Sequence, residues 1–169
     1  QCATYNPHLN EQQNNEMIQQ VIGQDKPFNV NFFPFMKENI VYNDFLNSGD
    51  IIIGMSGGEG WGLPEFHSIA IGKHAIILDA HSYKTWVKPE MATLVKPSGK
   101  ISAVDNIFFR QGDIFNQGQI FEWNEEEFLA ACEIAVQKVT SKKLNDAGLE
   151  LQQTFSKERF AENIIKLST

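Results

Sequence analysis

At 169 residues the chain is about the size of one domain that can bury a sizeable core. Hydrophobic residues at 42% and charged residues at 21% exclude a disordered or fibrous chain. The net charge of −7 argues against a nucleic-acid backbone or an anionic membrane as partner, since both reward clustered Lys and Arg. A small anionic ligand remains compatible with it, because a few aimed amides and one or two cations suffice to hold one. The apolar runs are short, as in Asp50 to Met55, and none approaches the roughly 20 residues of a membrane span, so a soluble chain is expected. Cys2 and Cys132 have neither a C-x-x-C nor a metal-ligand spacing and read as free thiols of a reducing compartment. The chain opens on Gln1 without a charged-then-apolar leader, which predicts that a segment upstream has been removed or left out.

In chain order, Glu11 to Gly23 predicts a helix with Met17, Ile18, Val21 and Ile22 on one face, and Gly23 and Pro27 bracket the turn to a strand over Val30 to Phe35. A short helix over Glu38 to Asn47 and a strand over Asp50 to Met55 follow. A helix is expected to open with Pro64 in its first position and to end at Gly72, before the apolar run His74 to Leu78. Met91 to Val95 reads as a further strand. Ser98 to Phe121, punctuated by Gly99, Gly112 and Gly118, reads as an insertion that pairs as a hairpin. Two helices close the chain, Asn124 to Thr140, with a capping pattern in Asn124 and Glu127, and roughly Lys143 to Leu167. Strands that are apolar throughout suit a parallel sheet covered on both faces. The expected class is therefore α/β, a doubly wound parallel sheet in a single domain over residues 1–169.

The segment Ser56-Gly57-Gly58-Glu59-Gly60-Trp61-Gly62-Leu63-Pro64 falls between a buried strand and a helix, where open α/β sheets bind their ligands. Its glycines allow close approach, and the amides of Trp61, Gly62 and Leu63 would project toward phosphate oxygens. It is neither a nucleoside-triphosphatase loop, which needs Gly-Lys-Ser/Thr where this chain has Gly-Leu-Pro, nor the dinucleotide fingerprint, which needs glycine where Glu65 stands. Glu59 is repelled by a diphosphate, so it is either a solvated loop acid or an acceptor for vicinal sugar hydroxyls beside one.

The run Glu59 to Pro64 (Glu-Gly-Trp-Gly-Leu-Pro), followed after three positions by Ser68-Ile69-Ala70-Ile71-Gly72, resembles the signature of the family 4, or group 1, glycosyltransferases of the GT-B fold. That signature reads Glu-Gly-Phe-Gly-Leu-Pro, two variable positions, then Glu-Ala-Met-Ala-x-Gly. Phe32 to Asp50 is similar to the strand, loop and helix that precede it in the family, and Thr154 to Ala161 resembles the start of the family's last helix. The resemblance implies the nucleotide-sugar-binding, Rossmann-like C-terminal half of a retaining hexosyltransferase, with an acceptor-binding N-terminal domain as its partner. It implies that Glu59 contacts the transferred sugar and is the catalytic candidate, that Gly58, Gly60, Trp61, Gly62, Leu63 and Pro64 form the donor-binding turn, and that Phe35 and Met36 frame the nucleobase. The family's second Glu is His67 here, either a ribose contact or a histidine packed on the sheet. Ser82 occupies the place of a loop near the sugar. Core packing is the competing reading for Phe35 and Met36, shielding of the turn for Trp61, and core for Trp86 and Trp123.

The family's mechanism implies front-face displacement, the leaving diphosphate being stabilised by amides and cations with no metal and no cofactor beyond the nucleotide diphosphate sugar. His8, His67, His74 and His81 are scattered without ligand spacing. The strand and helix that carry the family's diphosphate-gripping Arg and Lys find no match before Gln1, so a chain truncated at its front is expected, attached to the cytoplasmic membrane face, if at all, through another half. A non-catalytic nucleotide-sugar-binding or scaffold protein of the same fold, or an epimerase on it, is the alternative.

Overall fold

The computed structural model describes residues 2–3, 9–22, 27–104, 109–115 and 118–168, the side chains of Val21 and Ile22 excepted. Gly23, expected to end the first helix, and His8 lie outside the described residues. The elements are β1 (Cys2–Ala3), α1 (Glu11–Ile22), β2 (Phe32–Phe33), α2 (Asn39–Ser48), β3 (Ile51–Gly54), α3 (Leu63–Ala70), β4 (His74–Leu78), α4 (Tyr83–Trp86), β5 (Thr93–Val95), β6 (Pro97–Ser102), β7 (Gln119–Trp123), α5 (Glu125–Ser141), a 3-10 turn (Asp146–Leu149), α6 (Glu150–Thr154) and α7 (Lys157–Ser168). Two compact units account for them, Gln1–Phe45 and Leu46–Thr169, where the sequence is read as one.

In the first unit β1 pairs in parallel with β2, Cys2 opposite Phe32 and Ala3 opposite Phe33. The strand expected over Val30 to Phe35 is thus only two residues long, and Pro34, which has no amide to donate, follows it directly.

The second unit is a mixed α/β structure on a three-stranded parallel sheet in the order β3-β4-β5. The central strand explains its own sequence. Ala75 and Ile77 point to one face, into a cluster with Ile69, Tyr83, Trp86, Met91 and Leu151. Ile76 points to the other, against Val95, Ala131 and Ala135. Helix α3, α4 and α6 cover the first face and α5 the second, so no position of His74–Leu78 is left to face water. Complete burial of Ile76 or Ile77 contributes about 1.5–3 kcal/mol each. His74, at the strand's start, keeps its polarity satisfied through Nε2, 2.8 Å from the Lys142 carbonyl.

Both ends of α3 are fixed by glycine. Gly62 is its N-cap at φ 76°, and Gly72 follows its last turn at φ 84°. The amide of Gly72 donates to Ile69 O at 2.9 Å and that of Lys73 to Ser68 O at 2.9 Å, the paired bonds of a Schellman ending. The expected stop at Gly72 is therefore found. Pro64 is the second helical residue and not the first, which moves the helix start to Leu63.

The insertion is a hairpin of β6 and β7, with Lys100 opposite Phe121 and Ile101 opposite Ile120. Helix α5 begins on the expected cap, Asn124 Oδ1 accepting from the amides of Glu126 at 2.8 Å and Glu127 at 3.2 Å. The single closing helix expected over Lys143 to Leu167 is broken into three pieces.

Candidate functional site

The turn Ser56–Gly62 leaves the carboxyl end of β3 and delivers the chain to α3. Three sets of contacts shape it. Ser56 Oγ donates to Gly58 O at 3.0 Å, which curls the loop on itself. The Phe121 amide of β7 donates to Gly57 O at 2.8 Å, which pins the loop to the hairpin. A Cβ at Gly57 would stand 2.5 Å from the Phe121 carbonyl oxygen, so only glycine fits that approach. From the other side, His81 Nε2 lies 2.9 Å from Ser56 O and therefore carries the proton, donating to that carbonyl. His81 sits just past β4 with φ 40°, the one described non-glycine residue with positive φ. Its ring packs on Tyr83 at 4.6 Å and faces Phe121 at 6.2 Å.

Glu59, at the tip of this turn, is exposed together with Gly58 and Gly60. No atom lies within 4 Å of where a Gly60 Cβ would be, so the turn is open on that side. Gly62, by contrast, is buried, and a Cβ there would collide with the Tyr83 ring. Leu63 and Pro64 are exposed at the first turn of α3.

Beneath the turn Glu65 and Tyr83 face each other below Gly54 and Gly62. Burial raises the Glu65 pKa from its ordinary value; the acceptance of its own backbone amide works the other way, and the negative charge of Glu59 adds to the rise. Tyr83 is 1% exposed. Burial pushes the pKa of its hydroxyl up and the Glu65 charge adds to the rise; the hydroxyl faces Glu65 without a hydrogen bond of good geometry. The Glu65 carboxylate thus lies beside Gly62 at the start of α3, where the amides of Trp61, Gly62 and Leu63 are expected to meet an anionic ligand. The amides of Gly62 and Leu63 remain outside the helical pattern, as first-turn amides do.

Trp61 is built into the scaffold. Its ring stacks on Trp86 at 6.4 Å and meets Phe66 and Phe155 edge-on at 5.8 and 5.6 Å, while its carbonyl accepts from Trp86 Nε1 at 2.9 Å. Trp86 is core, as expected; Trp123 is not, being 38% exposed with its ring against Phe128. His67 is half-buried one turn into α3, its ring beside Phe66, and burial lowers its pKa. Ser82 sits next to His81, whose Nδ1 is 3.4 Å from Ser82 Oγ. Phe35, exposed, and Met36, half-buried, belong to the unit Gln1–Phe45 and not to the unit that carries the turn. Among the described residues no group of three or more His, Cys, Asp or Glu could hold a metal ion.

Sequence reasoning gives no role to His81 or Glu65 and does not reach Phe121 or Lys100. The one legible signal was the position of His81, immediately after an apolar strand whose end faces the crevice; the other three depend on contacts across the fold.

Comparison was made with protein-family models, curated proteins and solved structures. None of them matches this chain.

Proposed function

We propose that the chain is the nucleotide-sugar-binding domain of a retaining hexosyltransferase, of the doubly wound, Rossmann-like type that forms the C-terminal half of the GT-B fold. One observation carries the reading: an exposed carboxylate, Glu59, stands at the tip of a glycine turn at the carboxyl end of a parallel strand, beside an open Gly60. Such a carboxylate accepts two hydrogen bonds at once and suits vicinal hydroxyls of a hexose. The parallel three-stranded sheet, the pinned turn and the Glu59 to Gly72 signature support the same reading.

In this reading the donor is a nucleoside diphosphate hexose, and the reaction proceeds by front-face displacement with retention, without metal or further cofactor. Leaving-group charge is met by the amides of Gly62 and Leu63 and by a cation. Glu59 orients the sugar, His67 and Ser82 are peripheral donor contacts, and an acceptor-binding domain of the same cytoplasmic enzyme completes the cleft. Titration calorimetry with UDP-, GDP- and ADP-hexoses tests it: one of the three binds, and its binding weakens in Glu59→Ala. No binding by any of them would overturn the reading.

A second reading, a non-catalytic nucleotide-sugar binder of the same fold, is favoured by the Glu65 carboxylate at the start of α3 and by His67 at the place of the family's second acid. Product analysis with a labelled donor separates transfer, epimerisation and binding without turnover.

A further inference from the structure

The turn carries the acid Glu59, with Glu65 beneath it in α3. Glu59 and Glu65 are close enough to act on each other electrostatically, and a phosphate brought beside them is repelled unless a positive charge is present. Lys84, in α4, is drawn to Asp79 just past β4 at 3.5 Å. The hairpin offers a different cation in a fixed place. Lys100 of β6 is paired with Phe121 of β7, and its ammonium lies 4.5 Å from the Phe121 ring centroid. Phe121 is the residue whose amide holds Gly57, and its ring faces His81. Phe121 therefore touches both loops of the crevice, through its backbone at Gly57 and through its ring at His81, while Ile120 on the other face of β7 packs on Gly57 and Gly58. A lysine on a free strand sweeps a wide volume; one resting on an aromatic ring is restricted, and the ring here is anchored to the turn.

We propose that Lys100, seated on Phe121, is the cation that receives the phosphate group of the ligand bound at the Ser56–Gly62 turn, so that the β6–β7 hairpin is a wall of the binding site. This rests on the reading of the turn as a nucleoside diphosphate site. The three N–H donors of Lys100 match phosphate oxygens. Phe121 has two duties, its amide fixing Gly57 and its ring fixing Lys100.

The test is titration calorimetry of wild type, Lys100→Met, Lys100→Arg and Lys96→Ala with inorganic pyrophosphate, UDP, GDP and ADP. Loss of one charge-assisted contact predicts about tenfold weaker binding of pyrophosphate and of the preferred nucleotide by Lys100→Met. Lys100→Arg keeps most of the affinity, and Lys96→Ala, altered at an exposed residue following β5, is unchanged. Circular dichroism melts of the variants match wild type, because Lys100 is exposed. Wild-type binding undiminished in Lys100→Met overturns this assignment and leaves the nucleotide reading standing. Equal weakening by Lys96→Ala overturns it too, showing general charge attraction. Absence of binding by wild type removes both.

Discussion

His81 Nε2 donates to the Ser56 carbonyl across 2.9 Å, so the loops that leave two neighbouring parallel strands are bonded directly to each other. The donor is a histidine in left-handed backbone, a conformation that disfavours a side-chain-bearing residue by about 1–3 kcal/mol and is maintained by the contacts around it. Those contacts are the Tyr83 ring on one side and Phe121 on the other.

The first prediction concerns that strain. His81→Ala keeps the unfavourable φ and loses the hydrogen bond, and should destabilise the protein by about 1–2 kcal/mol. His81→Gly relieves the strain and should lose less stability. Urea denaturation of the two variants gives the comparison. If the alanine variant is as stable as the glycine variant, φ 40° at this residue is not a source of strain.

Gly60 and Gly62 separate folding from binding. Gly62→Ala meets both a positive φ and the Tyr83 ring, and should cost about 2–4 kcal/mol. Gly60→Ala meets no atom within 4 Å and should leave the melting temperature nearly unchanged, while its new methyl group narrows the open side of the turn and weakens donor binding. An unaltered donor affinity in Gly60→Ala would remove that side of the turn from the site.

Much of the second unit was legible in the sequence, for a physical reason. A strand buried on both faces cannot alternate, and His74–Leu78 reads as a continuous apolar run; Gly72 and Asn124 announce helix ends because few residues tolerate those backbone positions or supply that cap. What was not legible depends on distant partners. The expected closing helix fails at Asn145, whose Nδ2 is engaged by the carbonyls of Met91 at 2.7 Å and Lys73 at 3.1 Å. It fails again near Ser156, whose Oγ accepts from the Arg159 amide at 3.2 Å and starts α7 afresh. At the candidate site, a glycine-rich turn between strand and helix was readable from the residues, with Glu59 in it. The Glu65–Tyr83 pair beneath it was not, since the two belong to different helices and meet only after β3 and β4 align.

Glu65 gives a pH signature. Its pKa, raised from 4.5 by burial, means that the folded chain holds this proton more tightly than the unfolded chain does. Its contribution to stability is therefore complete in acid and is lost as pH rises from the ordinary carboxyl value through the raised one. Glu65→Gln removes the titration. The stability difference between wild type and variant should shift in favour of the variant between pH 4 and pH 7, as read by urea denaturation at a series of pH values. Parallel pH profiles would mean that Glu65 is as well solvated in the folded chain as in the unfolded one.

Tyr83 offers an independent check on the same buried pair. A hydroxyl enclosed without a hydrogen bond of good geometry contributes little to folding, and replacing it by hydrogen removes a desolvated group. Tyr83→Phe, which preserves the ring packing on His81 and Trp86, should be neutral or stabilising by up to about 1 kcal/mol. A loss of stability in thermal denaturation would reveal a hydrogen bond to Glu65 in solution.

The last prediction concerns Glu59. As an exposed loop acid it contributes little to folding, and Glu59→Ala should change stability by less than about 0.5 kcal/mol. Under the proposed function the same change removes the acceptor for the hexose hydroxyls without touching the nucleoside diphosphate. In the protein with its acceptor-binding domain, transfer should fall by at least about a hundredfold, a loss of the order of two oriented charge-assisted hydrogen bonds. Affinity for the free nucleoside diphosphate should hold or rise slightly, since a negative charge near the phosphates has been taken away. Initial-rate kinetics with a labelled donor and calorimetry with the nucleotide measure the two quantities separately. Full transfer activity in Glu59→Ala would return this residue to the solvated surface and take the proposed chemistry with it; weakened nucleotide binding would place the carboxylate against the base or ribose instead of the sugar.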